Sequence, residues 1–155
     1  MNGNQQLITK FYTAFQNKDY KTMQDCYAEN ATFSDPVFEN LNVAEVKAMW
    51  EMLITRGKDL QLEFSNVEAN ETMGSAEWIA TYTFSASGNK VVNKVKANFV
   101  FENEKIVQHK DSFYFYTWAK QALGFKGLLL GWTSFLHKKV KQGARSNLLK
   151  FMSKK

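Results

Sequence analysis

The chain has 155 residues, 45% of them hydrophobic and 15% aromatic, with a formal charge of +5. That length suits one domain with a sizeable core, and the single cysteine, Cys26, excludes an internal disulfide framework and a cysteine zinc site. The polar amino terminus lacks the pattern of a secretory leader and no apolar run approaches the roughly 20 residues of a membrane span, so the sequence reads as cytoplasmic.

Leu7, Ile8, Phe11, Tyr12 and Phe15 recur at helical spacing and predict a first helix from about Gln5 to Asn17. A second, short helix carries Tyr20, Met23, Cys26 and Tyr27 on its inner side and is predicted to end near Glu29 and Asn30. A short apolar strand and turn, Ala31 to Phe38, come next. Here Asp35 stands before Pro36, the only proline, with Phe33 and Phe38 close by. Proline biases the preceding residue toward an extended conformation. Two readings of Asp35 stay open: a turn residue whose carboxylate caps backbone amides, which the residues alone favour, and a carboxylate desolvated by aromatic neighbours until it can act as a base near neutral pH.

Asn42-Val43-Ala44-Glu45 has the form of a capping box and opens a third helix with Val43, Val46, Met49, Trp50 and Leu53 on one face, which Gly57 is placed to stop. From Asp59 the apolar period changes to two. Leu62 and Phe64, then Ala76, Trp78, Ala80 and Tyr82, then Val95, Ala97, Phe99 and Phe101 each form one face of a strand. Turns are predicted at Ser87-Gly88-Asn89 and at Glu102-Asn103-Glu104. A last strand, Lys105 to Tyr116, places His109, Asp111 and Phe113 on one face.

These elements predict an α+β domain over residues 1–116, a cone-shaped, curved antiparallel sheet with three N-terminal helices enclosing a pocket. Phe33, Trp50, Trp78, Tyr82, Phe99 and Phe113 are the expected pocket walls. Residues 117–155 form a basic, amphipathic helical tail.

The element order, together with Ala31-Thr32-Phe33-Ser34-Asp35-Pro36-Val37, resembles the nuclear transport factor 2-like superfamily, and within it ketosteroid isomerase and the SnoaL-like polyketide cyclases. The resemblance covers about Gln5 to Tyr116. It implies Asp35 as a proton-shuttling base and Tyr12 as donor to a developing oxyanion. The unusually protonated aspartate that completes the isomerase site would fall at Ala97, so half of the oxyanion hole is expected to be missing, a loss of about 10²- to 10³-fold in rate. The His-x-Asp pair of the cyclases maps onto His109 and Asp111, with Asp111 as the acid/base. The competing reading is that these two residues bond to each other for packing alone.

The resemblance therefore implies a protein binding a small apolar carbonyl compound, with isomerase or cyclase chemistry that needs no cofactor and no metal, in a homodimer formed through the outer sheet face. The alternative is a non-catalytic lipid- or partner-binding module.

Residues 1–111 hold 11 Lys/Arg and all 15 Asp/Glu, whereas residues 112–155 hold 9 Lys/Arg and no acid. The tail is expected to pack over the open end of the cone or onto a second subunit, or to lie on an anionic membrane surface. If it covers the pocket, ligand access depends on its movement. Nucleic-acid binding is not expected, because aliphatic surface interrupts the basic residues and no base-reading motif is present.

Overall fold

The computed structural model describes residues 2–154. Helix α1 (Gly3–Gln16) opens with a complete capping box in which Asn2 and Gln5 satisfy each other's backbone amides. Asn2 and Asn4 also donate to the carbonyls of Ala69, Asn70 and Glu71, pinning the start of α1 to the turn at residues 69–71. A short α2 (Tyr20–Asp25) is capped by Asp19. Strand β1 (Tyr27–Ser34) follows at once, and α3 (Val43–Arg56) starts on the Asn42/Glu45 box and stops at Gly57, as the sequence predicts.

The remaining sheet is β2 (Gln61–Ala69), β3 (Met73–Thr83), β4 (Lys90–Glu102) and β5 (Lys105–Ser112), and three helices close the chain: α4 (Phe115–Leu123), α5 (Phe125–Leu130) and α6 (Ser134–Ser153). Asn103 and Glu104, both at positive φ, turn β4 into β5.

The strands lie in the order β1-β5-β4-β3-β2. All neighbours are antiparallel except β1, which runs parallel to β5. Register breaks in β1, β2 and β4 bend the sheet. Helices α1 and α3 fill its concave side, so the fold is the curved α+β cone that the sequence predicts. The core contains Ile8, Phe11, Trp50, Phe99 and Ile106, all buried. The convex face carries exposed Glu63, Glu77, Lys94, Lys96 and Lys110.

Two boundaries differ from the expectation. Residues 27–30 belong to β1 and not to the second helix, because Tyr27 pairs with Ile106 on β5, a contact that local periodicity does not register. The last strand ends at Ser112, and residues 115–116 already belong to α4, where Trp118, Ala119 and Ala122 are buried against Val91. Trp118 donates to the Tyr82 hydroxyl, fixing α4 to the end of β3.

Helix α6 folds back over α3: Leu148 is fully buried, Lys141 bonds Glu39 and Arg145 bonds Glu45. Among the described residues no helix is long and apolar enough to cross a membrane.

Candidate active site

The sheet register aligns the site residues in rows. Phe33 on β1, His109 on β5 and Phe99 on β4 are direct partners and point inward. Two residues further along β5, the next inward row holds Asp111, Ala97 and Ala76. Ser34 pairs with Lys110, so Asp35, the residue just beyond β1, continues the strand beside Asp111. The Asp111 charge acts on Asp35, so two carboxylates lie near one end of a row whose other members are alanines, and those alanines leave the sheet low in front of Asp111.

His109 and Asp111 are the buried polar residues of the core. The His109 ring lies between Phe99 at 4.4 Å and Phe33 at 4.9 Å, with Trp50 stacked at 6.2 Å. Its Nε2 is 2.8 Å from Asp111 Oδ1 and its Nδ1 is 2.7 Å from the Tyr27 hydroxyl, which in turn accepts from Trp50 Nε1 at 2.9 Å. Every donor has one acceptor when the bonds run in one direction: Trp50 N–H to Tyr27, Tyr27 O–H to His109 Nδ1, and His109 Nε2–H to Asp111. Burial raises the Tyr27 pKa well above that of a free phenol, so the hydroxyl keeps the proton it donates. The chain holds the His109 ring in one orientation and aims Asp111.

Asp35 serves the turn and is desolvated as well. Its Oδ1 accepts from the backbone amides of Val37 and Phe38 at 2.7 and 2.6 Å. Burial, opposed by those two amides and reinforced by the Asp111 charge, pushes its pKa up to about 7. Unlike His109 and Asp111, Asp35 keeps part of its surface in solvent. The C-terminal helices reach this turn, where His137 Nε2 donates to the Pro36 carbonyl at 2.6 Å while the His137 ring stacks on Phe115 at 4.0 Å.

Tyr12 lies across from the alanine row, stacked on Phe64 at 5.5 Å and flanked by Trp78 at 6.2 Å and Phe99 at 6.3 Å. Its hydroxyl and the Trp78 Nε1 are both buried and neither has a hydrogen-bond partner. Burial, then the Asp111 charge, raises the Tyr12 pKa well above its ordinary value. An unpaired buried donor costs about 1–3 kcal/mol, so the fold carries two such penalties side by side.

The expected wall residues divide into two groups. Phe33, Trp50, Trp78 and Phe99 are buried and close around Tyr12 and His109. Tyr82 and Phe113 are partly buried at the α4 end, where Tyr82 is engaged by Trp118. Sequence reasoning missed Tyr27 as the link between Trp50 and His109, and Trp78 as a donor. The available signal was that both lie on inward strand positions and carry a polar atom at the tip of an apolar ring. Among the described residues no cluster of His, Cys, Asp and Glu is arranged to hold a metal.

The description of the SnoaL-like domain matches residues 8–109. The chain belongs to the SnoaL-like family. No curated protein matches the sequence. A nuclear transport factor 2-like protein of unknown function from Burkholderia pseudomallei superposes with a TM-score of 0.69 at 18% identity, covering 79% of this chain and 98% of that one. A putative polyketide cyclase from Xanthomonas campestris gives 0.66 at 17%, with 77% and 96% covered. A protein of ketosteroid isomerase-like fold from Catenulispora acidiphila, in complex with trimethylamine, gives 0.65 at 8%, with 75% and 91% covered. At these identities the likeness establishes the fold alone. The SnoaL-like match ends at residue 109, so α4, α5 and α6 lie outside it.

Proposed function

We propose that this SnoaL-like protein binds a small, largely apolar carbonyl compound and moves a proton next to its carbonyl group without a cofactor. The observation that carries the reading is the pair of buried, unpartnered donors, Tyr12 O–H and Trp78 N–H, on neighbouring rings beside the Ala76 and Ala97 row. A carbonyl oxygen between them would relieve both penalties, and a developing enolate oxygen would be held more strongly still. Trp78 would supply the second donor that the alanine at position 97 lacks.

In this reading Asp111, oriented by His109, removes the proton from the carbon beside the carbonyl. Asp35, which holds its own proton to about pH 7, returns one at the new position, and the proton left on Asp111 passes to Asp35, so that both carboxyls regain their starting states. Trp50 and Tyr27 act through His109 and position Asp111 without touching the substrate. Double-bond migration and aldol-type ring closure both need only these transfers. Access requires the side chains around Tyr12 to part, and the contact of His137 with Pro36 is where α6 would have to loosen.

Native mass spectrometry of the purified protein, followed by denaturing extraction, identifies any bound compound. That compound is then incubated with protein in D₂O and followed by NMR. An extracted carbonyl compound whose adjacent hydrogens exchange with wild type, and at the buffer rate with Asp111→Asn, supports the proposal. Exchange that both Asp35→Asn and Asp111→Asn leave unchanged, or a ligand without a carbonyl group, removes it.

A further inference from the structure

The C-terminal lobe carries an exposed apolar stripe that the proposed chemistry does not use. Helix α5 meets α4 through glycine: a Cβ at Gly127 would lie 1.9 Å from the Ala119 carbonyl oxygen, and one at Gly131 would press on Ala119 and Tyr116. Gly124, at φ +60°, makes the reversal between the two helices. With its glycine side against α4, α5 turns its other side outward, where Phe125, Leu128 and Leu129 stand at i, i+3 and i+4, and Trp132 follows in the turn just past the helix end. Phe125 and Trp132 are each 75% exposed, and Phe135 on the first turn of α6 is 66% exposed.

The segments that carry the stripe are basic. Lys126, Lys138 and Lys139 are exposed beside the stripe, Lys139 lies over the Phe135 ring, and residues 112–155 contain no acid. A protein groove of mixed charge would not select for this pattern, whereas a bilayer with acidic headgroups complements both parts of it. Trp132 fits such a surface for a further reason. Its Nε1 donates to the Leu129 carbonyl at 2.9 Å, so the indole needs no outside acceptor when its ring enters an apolar layer.

We infer that the α5 stripe and the first turn of α6 form a docking surface for an anionic lipid bilayer, with Phe125, Leu129, Trp132 and Phe135 entering the acyl boundary and the lysines contacting the headgroups. The chain lies on such a membrane without spanning it.

Full-length protein is mixed with phosphatidylcholine vesicles with and without phosphatidylserine, and binding is read by co-sedimentation and tryptophan emission. Trp50, Trp78 and Trp118 are all buried, so Trp132 reports contact. The expected result is sedimentation only with phosphatidylserine, a blue shift of emission, and quenching by brominated acyl chains. A Lys126→Glu, Lys138→Glu, Lys139→Glu variant should bind about 100-fold more weakly, and Phe125→Ser with Trp132→Ser should not sediment. All of these positions are exposed, so circular dichroism should be unchanged. Three outcomes overturn the inference: no binding to phosphatidylserine vesicles, binding that the lysine reversals do not weaken, or a self-associated protein that Phe125→Ser dissociates while wild type leaves vesicles untouched.

Discussion

Replacing Asp35 by asparagine should change the pH dependence of stability with a sign fixed by its pKa. In the unfolded chain the carboxyl ionises near 3.8, and in the folded protein near 7. Between these values the unfolded state has released a proton that the folded state keeps, so stability falls as pH rises. The slope is about 1.4 kcal/mol per pH unit, and across the whole interval the loss reaches about 4 kcal/mol. Asp35 retains some solvent contact, which screens its charge, so about 2–4 kcal/mol is the expected range. The contribution is fully present below pH 4 and gone above pH 7. An asparagine oxygen can still accept from Val37 and Phe38, so the turn survives while the ionisation does not. Urea unfolding at pH 5 and pH 8 measures the effect. Wild type should lose midpoint relative to Asp35→Asn on going to pH 8, by about 1–2 M for a domain of this size. Equal pH dependence in the two proteins would refute the argument that burial outweighs the two amide bonds.

The two interior tyrosines should respond oppositely to loss of the hydroxyl. Tyr27→Phe leaves Trp50 Nε1 and His109 Nδ1 without partners and should cost about 2–4 kcal/mol in urea unfolding. Tyr12→Phe removes a hydroxyl that has no partner, so stability should hold or rise by up to about 1 kcal/mol while deuterium exchange on the bound compound falls about 10²-fold or more. Burial pushes the Cys26 thiol up to about 11, so iodoacetamide at pH 8 should leave the native protein unlabelled and modify it once urea has unfolded it.

The fold was legible where local pattern and tertiary pairing agree. The caps of α3, the alternation along β3 and β4, and the inward set Val95, Ala97, Phe99 and Phe101 all follow from periods and side-chain chemistry that each segment carries for itself. Legibility failed where a distant strand decides. Tyr27 stands four residues after Met23 and seven after Tyr20, a helical spacing, yet parallel pairing with β5 draws it into β1. Phe113 and Phe115 continue the alternation of β5, but Phe115, Trp118, Ala119 and Ala122 also share a helical face, and packing on Val91 selects the helix. The same kind of pairing sets the site. No local pattern places Asp35 beside Asp111, because 75 residues of helix and sheet intervene before the register of β1 against β5 joins them.

The polar atoms inside this aromatic cone fall into two sets, and the division separates structure from chemistry. Trp50, Tyr27, His109 and Asp111 form a chain in which each donor is matched, which makes the assembly rigid and sets Asp111 in place. A chain of this kind would suffice for packing alone if nothing else polar lay near it. Tyr12 and Trp78 are different, since each buries an unpaired donor, and phenylalanine at position 12 would fill nearly the same space without one. The protein tolerates about 1–3 kcal/mol at each of these sites, next to the one row where Ala76 and Ala97 keep the sheet clear. Two unmatched donors, a positioned carboxylate and a second carboxylate poised near neutral pH are what proton transfer beside a carbonyl needs. On the proposed reading, the matched chain accounts for how Asp111 is held, and the unmatched donors for what it would be held toward.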